Sequence, residues 1–238
     1  MPVLRLDRML SGEGLGSRKE IKQLMDGGVV TVNGKCVSKP EIKIDTSKDS
    51  VCVGGKQIIY REHIYIMMNK PAGVISASND PKEHTVIDLL PKSLQRPGLF
   101  PAGRLDRDTE GLLLITDDGN FAHEILSPKK HVYKQYTAIL DSPVTFEEKS
   151  RFENRLVIDG GFICLPAKLE VLEGTRVRIT IFEGKFHQIK RMFETLGHKV
   201  LYLKRTSMGG LGLDRSLKPG QAREITEDEL KLIKNQSF

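Results

Sequence analysis

The chain has 238 residues, with 37 Lys and Arg against 31 Asp and Glu and a formal net charge of +6. That length admits one large domain or a small module joined to a catalytic domain, and the moderate basic excess suits a nucleic-acid partner. No apolar run approaches the ~20 residues that span a bilayer, and the amino terminus lacks the apolar core of a signal segment. Three scattered cysteines, Cys36, Cys52 and Cys164, form neither a zinc motif nor a redox pair. A soluble, cytoplasmic protein without a membrane partner is expected.

The first sixty residues read as a separate module. Leu6, Met9 and Leu10 share a helical face. Ser17 and Glu20 form a capping box for a second helix, with Ile21, Leu24 and Met25 as its apolar stripe and Gly27-Gly28 as its stop. Val29 to Val32 reads as a strand, Asn33-Gly34 as a hairpin turn, and Gly54-Gly55 as a second one. Arg5, Arg8, Arg18, Lys19, Lys22 and Lys35 decorate this unit, where as a set they could follow phosphates. Residues Tyr60 to His63 turn polar, which places a linker there. The expected domains are therefore 1–60 and 61–238.

Beyond the linker, Ile64 to Met68 is an apolar strand, broken by Asn69-Lys70-Pro71-Ala72-Gly73. Residues 76–84 are polar and turn-rich. Gly111 to Thr116 is a buried strand, ended by Asp117-Asp118-Gly119, and Phe121 to Leu126 reads as a short helix. Tyr136 to Leu140 and Val177 to Phe182 are further strands, and a helix begins near His187 and stops at Gly197. The interleaving of strands and helices predicts an α+β fold.

The stretch from Gly103 to Gly111 sets Asp106, Asp108 and Glu110 at alternate positions in a basic chain, directly before an apolar strand. A carboxylate fixed beside a rigid strand is what a site needs if one acid is to act on a bound polyanion. Gly103 and Gly111 permit close backbone approach. The same spacing resembles the start of a calcium loop, but no helix precedes it and Asp117, at the twelfth position, is shorter than the bidentate glutamate such a loop needs. No metal site is expected. There is also no phosphate-binding glycine loop, no nucleophile elbow and no zinc deaminase spacing.

Residues 185–205 hold Lys185, Lys190, Arg191, Lys199, Lys204 and Arg205 against one acid, Glu194. Lys190 and Arg191 fall in the first turns of a helix, where cations oppose the macrodipole by roughly 0.3–1 kcal/mol each. A sequence that accepts this cost supplies an anionic partner, either a phosphate or a buried carboxylate. Tyr136 begins a strand, where an aromatic serves as core or as a stacking surface for a base.

From Arg5-Leu6-Asp7-Arg8 through Val32-Asn33-Gly34-Lys35 the first unit resembles the alpha-L RNA-binding module named from ribosomal protein S-four. The rest of the chain resembles the pseudouridine synthases that modify ribosomal RNA. Gly103-Arg104-Leu105-Asp106 through Gly111-Leu112 is similar to that family's catalytic motif and Asn69-Lys70-Pro71-Ala72-Gly73 to its first. Lys134-Gln135-Tyr136 is similar to its tyrosine motif, and His187-Gln188-Ile189-Lys190-Arg191-Met192 to its carboxy-terminal one. That last form, with Asn79-Asp80-Pro81 and Ser127-Pro128, resembles the small-subunit branch.

The resemblance implies a mixed, mainly antiparallel catalytic sheet and an isomerase that converts a uridine of 16S rRNA, at position 516, to pseudouridine. The C1′–N1 glycosidic bond is cut, the base rotates and is rejoined through C5, so no cofactor or metal is needed. It implies Asp106 as the essential carboxylate, Tyr136 as the surface that stacks on the uracil, and Lys190 as the cation that keeps the acid ionised. Arg104, Lys185, His187, Gln188 and Arg191 join the amino-terminal cations as candidate RNA contacts. The implied partner is 16S rRNA or a small-subunit assembly intermediate, met by a monomer. The alternatives are a large-subunit (23S) rRNA synthase and a non-catalytic RNA-binding assembly factor.

Overall fold

The structure, a computed structural model, describes residues 3–127, 130 and 132–234. The Pro128 of the Ser127-Pro128 resemblance and the amino-terminal Met1-Pro2 lie outside the described residues. The chain forms two compact units, one of Met1–Ile64 with Pro91–Leu99 and one of Tyr65–Leu90 with Phe100–Phe238. Residues 91–99 thus return to the first unit, which a single cut at residue 60 does not contain.

In the first unit β1 (Val3–Arg5) leads into α1 (Leu6–Gly12), and α2 (Arg18–Asp26) follows. Ser17 and Glu20 close the expected capping box: the Ser17 N–H donates to Glu20 Oε2 at 2.7 Å and the Glu20 N–H to Ser17 Oγ at 3.4 Å. Four strands, β2 (Val30–Val32), β3 (Lys35–Cys36), β5 (Val51–Val53) and β6 (Lys56–Ile58), form a small sheet, while β4 (Lys43–Asp45) pairs with β1. Both hairpin turns carry positive φ at their two central residues, Asn33 (51°) and Gly34 (76°), then Gly54 (57°) and Gly55 (78°). That handedness matches the strand twist, which is why Asn-Gly and Gly-Gly specify the turns. Leu6, Met9, Leu10, Ile21, Met25, Val30, Ile44 and Val51 make the core.

The segment expected as a linker is anchored instead. Tyr60 packs against this core. The Arg61 guanidinium donates to Glu13 Oε2 at 3.0 and 3.2 Å and its backbone N–H to Glu13 Oε1 at 2.8 Å. Arg96, from the returning segment, sits 3.7 Å from Glu13 Oε1 and donates to the Arg61 carbonyl. Glu13 and Arg96 are 4 % and 8 % exposed, so two buried charges depend on each other.

The second unit is built on one sheet, in the order β13 (Lys168–Glu173), β14 (Arg176–Ile181), β10 (Lys134–Leu140), β15 (Val200–Met208), β9 (Glu110–Thr116), β7 (Tyr65–Lys70) and β17 (Ala222–Glu224). β16 (Leu211–Gly212) pairs with β15 and β8 (Phe100–Ala102) with β9. The β15–β9 pair is parallel and the other named pairs of this sheet are antiparallel, so the sheet is mixed and mainly antiparallel as expected. β7 runs through Asn69 and Lys70 rather than breaking at Met68. Its residues 66–70 are all buried, which explains the unbroken apolar run, since a strand covered on both faces shows no alternation.

α3 (Gly119–Leu126) and α6 (Glu227–Lys234) supply Phe121, Ala122, Ile125 and Ile233 to the core on this sheet. α4 (Phe146–Glu153) and α5 (Gln188–Glu194) meet through Phe152 and Phe193, ring centroids 5.0 Å apart. β11 (Val157–Ile158) and β12 (Phe162–Ile163) form a short hairpin. Among the described residues no helix is long and apolar enough to cross a membrane.

α6 is tied to the sheet by charge. Arg223 of β17 donates to Glu229 at 2.7 and 2.9 Å and to Asp214 Oδ2 at 2.6 Å. The Arg223 hydrogen bond holds the Glu229 carboxyl down to about 2. A carboxyl whose folded value lies below its ordinary 4.5 adds stability that is complete above pH 4.5 and lost as pH falls towards 2. Denaturant titrations of the wild type and Glu229→Gln should differ at about pH 5.5 and converge towards about pH 2.5. In the first unit, Glu13→Ala strands Arg96 and should cost about 3–5 kcal/mol, read as an early unfolding step by circular dichroism.

Candidate active site

The loop that carries Asp106 is held by a buried cation. Lys70 ends β7, is fully buried, and its Nζ lies 3.0, 3.1, 3.2 and 2.9 Å from the carbonyl oxygens of Pro71, Asp106, Arg107 and Thr109. Burial pushes this ammonium down to about 8, against the pull of the Asp108, Asp106 and Glu110 carboxylates. The segment after β7 wraps the same loop. Ser76 Oγ accepts the Leu105 N–H at 3.0 Å and donates to the Leu105 carbonyl at 2.9 Å, and the Gly73 N–H donates to the Arg107 carbonyl at 2.8 Å. The Thr109 N–H closes the turn on the Asp106 carbonyl at 3.1 Å. The two flanking glycines do what the sequence predicts. A Cβ on Gly111 (φ 102°) would stand 2.2 Å from the Arg205 carbonyl, and one on Gly103 (φ 92°) would stand 2.8 Å from Leu126 Cδ2.

Register aligns the other elements with this loop. Lys70 pairs with Gly111, Gly111 with Arg205, and Arg205 with Tyr136, in one row across β7, β9, β15 and β10. Tyr136 is 6 % exposed, as a core aromatic is, and lies two strands from the strand that follows Asp106. Arg205 is buried and its Nε donates to the Leu112 carbonyl at 2.6 Å. Tyr202 on the same strand donates to Glu110 at 2.9 Å.

The basic segment supplies the counter-charges. Lys190 Nζ is 3.4 Å from Asp106 Oδ2 and 2.5 Å from Asp108 Oδ1, and His187 Nε2 is 3.6 Å from Asp106 Oδ1. Burial raises the Asp108 carboxyl, but the hydrogen bond and charge of Lys190 outweigh it and hold it below its ordinary value. Arg191 binds the Asp159 carboxylate and carbonyl. The anionic partners of the two helix cations are carboxylates, exposed rather than buried, brought from 32 and 82 residues away in sequence. His187 itself caps α5 in the left-handed region (φ 48°, ψ 30°), uncommon for a residue with a side chain. A cleft of about 470 Å³ opens beside Lys190 and Asp108, lined also by Asp141, Glu194, His198 and Lys199.

The remaining candidate contacts separate by exposure. Arg104 and Lys185 are exposed, and the Lys185 ammonium lies 5.1 Å from the centre of the Phe162 ring. Gln188 is not open to RNA, which corrects its place among the candidate contacts. It is 3 % exposed, its Nε2 donates to Glu183 at 2.9 Å, and its Oε1 accepts the Lys185 N–H at 2.9 Å. In the first unit Arg8, Arg18, Lys19, Lys22 and Lys35 are exposed, while Arg5 is engaged by Asp7 at 2.8 Å. Lys70 lies in the segment similar to the family's first motif, but its residue type does not mark it as a builder of the site, and nothing in the sequence marks Ser76. A lysine after an apolar run reads as the point where a strand meets water.

A family profile described as "RNA pseudouridylate synthase" matches residues 64–195, and one described as "S4 domain" matches residues 4–51. An uncharacterized RNA pseudouridine synthase of Bacillus subtilis is 47 % identical, over 97 % of this chain and 98 % of its own. The ribosomal small subunit pseudouridine synthase A of Vibrio cholerae is 41 % identical over 97 % and 99 %, and the ribosomal large subunit pseudouridine synthase B of Bacillus subtilis 36 % over 97 % and 95 %. A crystal structure of a pseudouridylate synthase superposes with a TM-score of 0.67 at 34 % identity, covering 97 % of this chain and 99 % of that one.

Lys70→Met should free four carbonyls and loosen the acidic loop. Amide exchange at Gly73 and Thr109 should speed up about tenfold or more, the equivalent of ~1.4 kcal/mol, while the core of β9 keeps its protection. Unchanged exchange at both amides would show that Lys70 does not hold the loop.

Proposed function

Because this chain belongs to the RNA pseudouridine synthase family, we propose that Asp106 is the carboxylate through which it isomerises a uridine of 16S rRNA. The observation that supports this reading is the placement of one partly exposed carboxylate, 27 % open, between the Lys190 ammonium and the His187 imidazole on a loop fixed from beneath. Asp106 either attacks C1′ or takes the 2′ proton, and both routes need it ionised. The Lys190 ammonium stands 3.4 Å from Asp106 Oδ2. The same negative charge stabilises an oxocarbenium-like sugar as the glycosidic bond breaks. Lys190 also bonds Asp108, so the two acids share one cation and Asp108 limits how far Lys190 can swing from the site.

The target base must leave its stack, at a cost of a few kcal/mol. Tyr136 is the surface assigned to the displaced uracil. Arg104 meets the backbone phosphates or fills the vacated space. The cations of the first unit hold the RNA in register by phosphate contacts, with specificity coming from RNA shape and single-stranded elements. The enzyme acts as a monomer on 16S rRNA or a small-subunit assembly intermediate. Support for the small-subunit target comes from the resemblance of the His187–Met192 motif and from the 41 % identity to a small-subunit enzyme. The 36 % relative named for the large subunit keeps 23S rRNA as the second reading.

Asp106→Asn should bind RNA and release no tritium from C5-labelled uridine. Lys190→Met should lower kcat more than it raises KM. Pseudouridine mapping in cells that lack and regain the gene should show the lost site in 16S rRNA. A site lost from 23S instead would replace the target, and tritium release by Asp106→Asn would remove that acid from the chemistry.

A further inference from the structure

Phe186 is a large apolar side chain left 75 % exposed, one residue from the imidazole that contacts Asp106. A single exposed apolar residue is ordinary on a protein surface. This one is built in place. Its ring stacks on the His187 ring with centroids 3.8 Å apart and planes 18° from parallel. Its carbonyl accepts a hydrogen bond from Arg191 Nη1 at 3.2 Å, and Arg191 is in turn fixed by Asp159. The turn beneath is pinned by buried Gln188, which bonds the Lys185 N–H and the Glu183 carboxylate. One face of the Phe186 ring is therefore covered by imidazole and the other faces solvent, on backbone held from two sides. Lys185 precedes it, and Lys190 and Arg191 follow within the first turn of helix.

A flat apolar ring preceded by the exposed Lys185 matches one chemistry, a nucleobase whose phosphate meets that charge while its face meets the ring. The reaction also creates a base in need of such a surface. When the target uridine leaves its stack, its neighbour in the strand loses a stacking partner. We infer that Phe186 is the platform on which an unpaired base flanking the target uridine stacks, one imidazole away from Asp106. This rests on the isomerase reading above and adds a second base-recognition site to it. Tyr136 serves the target base, and Phe186, backed by His187, serves the neighbour.

The test is a thermodynamic cycle on a 16S rRNA fragment carrying the uridine proposed above as the target. The enzyme background is Asp106→Asn, so that binding is measured without turnover, and Phe186 is kept or changed to Ala or Trp. The RNA is intact or abasic at one of the three nucleotides on either side of the target. Phe186→Ala should weaken binding of intact RNA by about 5- to 150-fold, the range expected for one lost base–aromatic stack. Phe186→Trp should restore most of it. At one flanking position the abasic RNA should lose a similar factor when Phe186 is present and nothing further when the enzyme carries Phe186→Ala. If the two losses multiply at every position, or if Phe186→Ala binds as well as its parent, the platform does not exist. Tritium release by the unmodified enzyme, run in parallel, reports on the isomerase reading separately: its absence would sink that reading while the cycle still decides whether Phe186 stacks on a base.

Discussion

A buried ammonium with four carbonyl neighbours organises this site. Lys70 carries its charge to the end of a fully buried strand, where desolvation is costly and only close acceptors offset it. Those acceptors are backbone oxygens of the loop that holds Asp106 and of the residue after Lys70. The cation consequently fixes the backbone of the acid and leaves the carboxylate itself uncommitted. Had Lys70 bonded the carboxylate, the acid would be tied up in a buried pair. Backbone is held from inside and side chain is addressed from outside, by Lys190 and His187.

The second constraint is steric. β9 and β15 are the parallel pair on which the register row depends, and they pair over Lys204–Glu110 and Arg205–Gly111. Any side chain at position 111 would strike the Arg205 carbonyl, so the two halves of the sheet close only around a glycine. Arg205 then fills the space from its own side, its Nε on the Leu112 carbonyl. Large charged side chains therefore build the interior of this sheet at Lys70 and at Arg205, both where strands approach the acidic loop.

Local signals are legible where one side chain meets nearby backbone. The Ser17–Glu20 box and the Asn33-Gly34 and Gly54-Gly55 turns act within a few residues, and each reads directly from the chain; the glycines around Asp106 read from the chain too, although the atoms they make room for, on Arg205 and Leu126, lie far away in sequence. Thr145 and Glu148 form the same box at the start of α4, yet the sequence does not announce that helix, because among its residues only Phe152 is buried and no apolar stripe follows the cap. The family motifs carry the site: they bring Asp106, Lys190 and His187 forward together, though the acid and the two bases lie far apart in sequence. What stays hidden is long-range burial of polar groups. By residue type alone, and apart from the motifs that contain Lys70 and Gln188, Lys70, Arg205 and Gln188 read as surface residues, since a charged or amide side chain declares its chemistry and not its partners. The return of residues 91–99 to the first unit carries no local signal either.

That return has a consequence for how such an architecture can be rearranged. A module connected through one tether could be exchanged between relatives, or cut away, by severing a single peptide bond. Here the polypeptide passes between the two units three times, and Arg96 of the returning segment neutralises Glu13 inside the first. Grafting residues 1–64 alone would leave Glu13 with Arg61 as its cation but without Arg96, and would leave the Arg96 guanidinium without Glu13 in the donor remnant. Recombination of this fold has to carry both stretches together, so the two units are inherited as a pair.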